Sequence, residues 1–137
     1  MGENVAPNAA ASANAQNTPV TNVNNGGLAD GAGSSWNTWG SNTYPTTVAL
    51  TWDAPYELNG MRVMWWADNG NLQANGNVTF PKSCEVEYYD HETSSWKKIT
   101  AMTDETGANV SSVGVKYGSA DQASNQPGNH LNGNNRY

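Results

Sequence analysis

The sequence lacks most of the groups that make a function easy to read. It holds one cysteine, Cys84. An intrachain disulfide is therefore excluded, and so is a zinc site built on cysteines. Cys84 reads as a small buried hydrophobe rather than a nucleophile. The two histidines, His91 and His130, lie far apart in polar surroundings. They read as surface residues, not as members of a triad or metal cluster. Charge is sparse, at 13% of residues, with 6 Lys+Arg against 12 Asp+Glu. A nucleic-acid reader needs a basic footprint to displace counterions. An anionic membrane asks for the same, so neither partner suits a net charge of −6. A neutral ligand such as a sugar is compatible with it. No apolar run approaches the ~20 residues that span a bilayer. The opening residues Met1-Gly2-Glu3 do not read as a signal peptide, and any export signal is expected to have been removed before them, so localisation is not legible from this end.

Catalytic signatures are missing too. There is no Gly-x-Ser-x-Gly, no His-Glu-x-x-His and no phosphate-cradling glycine loop. Glycoside hydrolysis needs two facing carboxylates. Glu85 and Glu87 would share a strand face about 7 Å apart. They sit opposite an apolar set, however, and read as a solvated face. Asp104-Glu105 falls in a turn. The chain is not expected to be an enzyme.

What is present is asparagine, glycine, serine and threonine in quantity, together with six tryptophans. Asn and Gly tolerate positive φ and favour turns; all four types are weak helix formers. Residues 3–27 read by composition as a linker, although Ala9 to Ala13 would suit a first edge strand. A loop of Gly, Ser, Asn and Trp runs from Gly26 to Pro45. A period-two pattern then begins. In Thr47–Trp52, Val48, Leu50 and Trp52 share a face. In Leu58–Trp66, Met61, Val63 and Trp65 share one. In Ser83–Tyr89, Cys84, Val86 and Tyr88 alternate with Glu85, Glu87 and Tyr89. Such alternation is what half-buried strands require. Trp96–Ile99 and Val113–Tyr117 add two shorter runs, with turn-rich connectors such as Asp90-His91-Glu92-Thr93 between them. No segment carries a 3.6-residue stripe. The expected class is all-β, a sandwich or jelly roll in a single domain over 1–137.

Five or six strands can be counted, where a jelly roll has about eight. Residues 118–135 read as polar loop, and Arg136-Tyr137 as the first step of another strand. The expectation is a domain whose last strands are absent from this chain or come from a second polypeptide. Such a sandwich would expose edge and core together. The alternative is that the N-terminal segment hides extra strands.

The stretch from Gly27 to Trp39 is the richest in chemistry. Asp30 offers a carboxylate in a tight turn, Ser35 a hydroxyl, and the glycines let main-chain carbonyls converge. Calcium takes six to eight oxygens of this kind. The plainer reading is an Asx-type turn with no metal. For sugars, an aromatic ring must stack on the C–H face, and amides or carboxylates must satisfy the hydroxyls. Candidates are Trp36, Trp39 and Tyr44 in one loop, and Trp66 with Asp68 and Asn69 in the next, where Asn75 and Asn77 follow. Trp52, Trp65 and Trp96 alternate with core strands and read as packing. Trp36 suits core and site equally. Trp39 and Trp66 are the candidates for exposure.

Taken in order, the Asp30-Gly31 turn, Ser35, Trp36, the Thr47–Trp52 strand, Asn59-Gly60-Met61-Arg62-Val63-Met64-Trp65-Trp66, the run Pro81 to Asp90 and Ser94-Ser95-Trp96-Lys97-Lys98-Ile99 resemble the discoidin-like family. That family, also called coagulation factor 5/8 type C, includes family 32 carbohydrate-binding modules. The likeness covers about residues 4–117. It implies a galactose-binding-domain-like jelly-roll sandwich serving as a non-catalytic glycan-binding module of a secreted or cell-surface bacterial glycoside hydrolase. It implies ligand contacts at Asn37, Trp39, Trp66, Asp68, Asn69 and Asn77. It also implies a structural calcium held by the Gly27 carbonyl, the Asp30 carboxylate, the Ala32 carbonyl, and Ser35 through hydroxyl and carbonyl. Galactose-binding members similar to this chain place a His where Asn37 stands, and an Arg where Trp66-Ala67-Asp68-Asn69 runs. Both departures argue against galactose itself. Two further partners are implied: the parent catalytic domain, or a complementary C-terminal segment. In the alternative reading, the domain is a docking or split-domain element without sugar binding.

Overall fold

The computed structural model describes residues 3–27, 33–61, 63, 65, 78, 81, 84–103 and 108–110. They form small antiparallel sheets with short 3-10 turns, which is the all-β class in its coarse form. Strand β1 (Ala10–Ala13) pairs with β2 (Val48–Thr51), with Ala10 opposite Thr51 and Ala13 opposite Val48. Strand β3 (Glu87–Asp90) pairs with β4 (Ser95–Lys98), and β5 (Met102–Thr103) with β6 (Asn109–Val110).

β1 has no intrinsic claim to be a strand. Alanine and serine are not β-formers, and the surrounding composition reads as a linker. Its partner is the apolar, β-branched Val48–Thr51, and side-chain amides hold its flanks. At the exit of β1, the Asn14 N–H donates to the Thr47 carbonyl at 3.2 Å. The Asn14 side chain continues the ladder, donating to the Pro45 carbonyl at 3.0 Å and accepting the Thr47 N–H at 2.8 Å. At its entry, Asn24 Nδ2 donates to the Ala6 and Ala9 carbonyls, both at 2.8 Å. The 3-10 turn Val20–Val23 lies against β1. Residues 3–27 are thus built into the fold rather than acting as a linker, and the edge strand expected around Ala9–Ala13 is present.

The alternation located β2, β3 and β4 within one to four residues at the ends, but burial does not follow it: Val48 and Tyr88, each on the apolar face of its run, are 40% and 49% exposed. In the third run it overreaches: Cys84 makes only an isolated bridge, and regular pairing starts at Glu87. For Leu58–Trp66, the described residues form no strand, although Met61, Val63 and Trp65 are half-buried as their shared face suggested. The run Val113–Tyr117 lies outside the described residues. β5 and β6 carry too few residues to show a period.

Burial is unusual in kind. Among the described residues, the buried apolar residue is Met102, whereas Asn24, Ser35 and Asn37 are all buried. Buried asparagine is uncommon unless its amide is fully used. Trp39, Tyr44, Tyr56, Leu58, Tyr88, Tyr89 and Trp96 meanwhile remain well exposed. A cleft of about 400 Å³ opens between the Leu58–Met61 stretch and the β3–β4 hairpin, floored by Val86, Ile99 and Met102.

Candidate functional site

The loop from Gly33 to Thr47 is assembled on a polar knot. The Thr18 hydroxyl donates to the Ser35 carbonyl at 2.6 Å and accepts the Asn37 N–H at 2.9 Å. The Asn17 N–H donates to the Asn37 carbonyl at 2.8 Å, and Asn17 Nδ2 donates to Asn37 Oδ1 at 3.2 Å. Asn22 Nδ2 reaches the carbonyls of Gly33 at 3.1 Å and Ser35 at 3.3 Å. Trp36 is half-buried and donates its indole N–H to the Ala15 carbonyl at 3.2 Å. That contact ties the loop to the segment before it.

Trp39 follows directly from this knot. Its N–H donates to Asn37 Oδ1 at 3.1 Å. The Ser41 N–H donates to the Thr38 carbonyl at 2.9 Å, closing a four-residue turn with Trp39 and Gly40 at its corner. Gly40 has φ +76°, the value that the third position of a type II turn demands and that glycine meets without strain. Trp39 at the second position is 52% exposed, and Tyr44, further along the loop, is 80% exposed. A half-exposed indole thus sits on a backbone fixed from behind.

The expected site residues separate as follows. Trp39 is exposed. Asn37 is 5% exposed, and its Oδ1 accepts from Asn17 and from Trp39, so its amide oxygen faces protein donors. Trp66, Asp68, Asn69 and Asn77 lie outside the described residues. Trp96 was expected in the core and is instead 53% exposed. Pattern alone placed it inside, but both faces of the two-stranded β3–β4 sheet meet solvent. Trp52 is half-buried, bonds the Val5 carbonyl through its indole N–H at 2.8 Å, and stacks at a tilt on Tyr56. The Trp65 indole nitrogen is buried with no hydrogen-bond partner among the described residues.

The expected calcium ligands fit less well. Asp30 and Ala32 lie outside the described residues. Gly27 is exposed, and its N–H donates to Asn25 Oδ1 at 2.7 Å. The Ser35 carbonyl has already accepted from Thr18 and Asn22. A carbonyl has two lone pairs, so calcium at this oxygen would have to displace those donors. A cation at the Ser35 carbonyl would thus compete with the Thr18 hydroxyl and the Asn22 amide.

The β3–β4 hairpin carries the other organised polar groups. Asp90 Oδ1 accepts the N–H groups of Glu92 at 2.8 Å and Thr93 at 3.4 Å, shaping the loop. Asp90 Oδ2 pairs with Lys97. The Lys97 contact is the main cause that holds the Asp90 carboxyl down to about 2; desolvation opposes it and the loop N–H groups assist. The same contact raises the Lys97 ammonium above its ordinary value. Lys98 pairs with Glu85 at 2.6 Å. Glu85 and Glu87 are exposed, as a solvated face requires. Cys84 is half-buried, and burial pushes its thiol up, with Glu85 adding to the effect. A thiol so placed is a poor nucleophile.

Compared with protein families, curated proteins and solved structures, the chain matches none of them. No helix among the described residues is long and apolar enough to cross a membrane.

Proposed function

We propose that the chain is a non-catalytic carbohydrate-binding module with a discoidin-like jelly-roll sandwich, an accessory of a secreted bacterial glycoside hydrolase. One observation carries this reading: the half-exposed Trp39 ring on a turn locked by the buried Asn37 knot. A ring fixed before the ligand arrives loses little freedom on binding, which is how a small contact gains affinity. Trp39 supplies the stacking surface, and Tyr44 in the same loop a second one. Asn37 serves as a positioning residue behind them. Trp66, Asp68, Asn69 and Asn77 are the candidates for reading sugar hydroxyls. Weak single-site affinity would be raised by neighbouring modules of the parent enzyme. Calcium belongs to this proposal through the Gly27 carbonyl, the Asp30 carboxylate, the Ala32 carbonyl and Ser35, where a cation on the carbonyl would compete with Thr18 and Asn22. Native affinity gels loaded with plant and host polysaccharides test the proposal. Trp39→Ala should cut retention at least about tenfold, the range of an aromatic anchor at a binding interface. Unchanged retention in that variant, or no retention of the parent chain on any glycan, defeats it.

A docking role is the second reading. It is favoured by the number of large apolar side chains left exposed around a single buried Met102 among the described residues. The parent catalytic domain, or a complementary C-terminal segment, would cover them. Size exclusion after mixing with either piece separates the two readings: a stable complex that buries Trp39 supports docking, and no complex dismisses it.

A further inference from the structure

The β3–β4 hairpin presents two unlike faces. Val86 and Ile99 floor the cleft on one side. On the other, the cross-strand partners Tyr89 and Trp96 stand directly opposite each other, with Glu87 and Lys98 as the next pair on the same face. Tyr89 is 42% exposed and Trp96 53%. Their rings are 5.6 Å apart at 73°, and Tyr89 meets the His91 ring at 5.1 Å and 78°. Three aromatic rings therefore meet at nearly right angles and remain open to solvent. Fully burying the rings would be the usual outcome for such a cluster, and leaving them exposed on a strand marks a contact surface.

The charges around this corner favour one kind of occupant. Lys98 is neutralised by Glu85 at 2.6 Å, and Lys97 is engaged by Asp90. Glu87 forms no ion pair among the described residues and is exposed. Glu92, in the adjoining loop, adds a second exposed carboxylate. The face is thus aromatic with surplus negative charge, in a chain of net charge −6. Aromatic faces attract cations through their quadrupole, and perpendicular rings offer a cation one face and one wall at once. A carboxylate alongside supplies the counter-charge.

We propose that Tyr89, Trp96 and His91, with Glu87 beside them, form a binding site for an organic cation of the quaternary ammonium type. This site stands independently of the Trp39 loop and its glycan reading. The trimethylammonium group rests against the indole and phenol rings, and Glu87 provides long-range attraction. The reach of such a site is shallow, so affinity is weak and depends on what carries the ammonium group.

The test uses the full chain and two probes of equal shape: choline, and its neutral isostere 3,3-dimethylbutan-1-ol. Binding is followed by the shift of the Trp96 indole N–H resonance. Choline should saturate that shift about two- to fivefold more tightly than the isostere, as one exposed cation–π contact provides. Glu87→Gln should weaken choline by about two- to threefold, the range of an exposed charge pair, and leave the isostere unchanged. Trp96→Phe, in which the ring protons of Tyr89 and His91 report binding in place of the indole N–H, should weaken choline while keeping the hairpin folded, which cross-strand amide contacts would report. Equal binding of the two probes would reduce the site to plain apolar contact and overturn the proposal. So would no choline shift at Trp96, or glycans shifting Trp96 where choline does not.

Discussion

Two regions of this molecule solve the same problem with different chemistry. Residues 3–27 and 33–47 order a chain poor in apolar side chains by directing amide groups at distant carbonyls. Asn24, Asn22, Asn17 and Asn14 each reach a partner at least eleven residues away. Residues 84–103 order themselves locally: a four-residue loop, a ladder, two ion pairs and an edge-to-face aromatic pair. The first solution rests on directional bonds, and those of the buried Asn24 and Asn37 are partly shielded from water, so losing one of these is costly, whereas the bonds of Asn14 are exposed. The second rests on exposed contacts, each worth little on its own. The first region should therefore fail at single residues, and the second should degrade gradually.

The largest effect is expected at Asn24. It is 9% exposed, and its amide serves the Ala6 and Ala9 carbonyls together. Asn24→Ala leaves two acceptors short of a donor and should cost about 2–3 kcal/mol. Asn24→Asp should be worse, since it turns a carboxylate toward carbonyl oxygens. Urea denaturation of the three proteins checks the order. If Asn24→Ala stays within the error of the parent, the amides decorate the first region rather than hold it.

Gly40 comes next, where the first region meets its candidate site. At φ +76°, an alanine pays the left-handed penalty of about 1–2 kcal/mol. Nothing lies within 4 Å of a Cβ placed there, so backbone conformation rather than crowding sets that cost. The turn would then relax and carry Trp39 with it. Gly40→Ala should lower both stability and glycan retention. Gly33→Ala, also without a neighbour in reach and without positive φ, should lower neither by as much. Equal losses would separate the turn from the ring.

In the hairpin, the comparison can be sharpened by pH. Asp90 is held down to about 2 in the folded state, against 3.8 for the free group. A depressed carboxyl stabilises above its unfolded value and loses that contribution as pH falls through the folded one. Protection of the β3–β4 amides should hold above about pH 4 and fade toward pH 2. Asp90→Asn should flatten that slope. The Asn-held β1–β2 amides, whose bonds carry no titrating group, should show no matching step. Coincident loss in both regions would mean that they unfold as one unit.

How much of this was legible follows the same division. Where side chains alternate, as in Val48–Thr51 and Glu87–Lys98, the period marked the strands within a few residues. Residues 3–27 misled because asparagine and alanine are read by composition, and composition says nothing about which carbonyl an amide will find. The buried places of Asn24 and Asn37 had no sequence signal beyond an excess of asparagine. Trp39 was foreseen as exposed because it lies in a polar loop, outside the alternating runs. Trp96 was misplaced because alternation shows which residues share a face, not which face is covered. Ser35 was carried over as a metal ligand by resemblance, and the Thr18 hydroxyl that occupies its carbonyl lies seventeen residues earlier.

The smallest effect belongs to Ser94, and it has the opposite sign. Ser94 closes the β3–β4 loop at φ +50°, in the left-handed region that costs a side chain strain. Its neighbours already carry the polar bonds of the loop: Asp90 with the Glu92 and Thr93 N–H groups, and the Thr93 hydroxyl with that of Ser95 at 2.9 Å. Ser94→Gly relieves the strain but frees the unfolded backbone, so the two terms partly cancel. The net gain should stay below about 1 kcal/mol. It should appear as slower exchange of the Ser95–Lys98 amides, with no change in the amides of Ala10–Ala13. A gain that spread to β1 would show that the loosely held hairpin limits the stability of the amide-clamped region, and the contrast between the two would then be one of chemistry but not of independence.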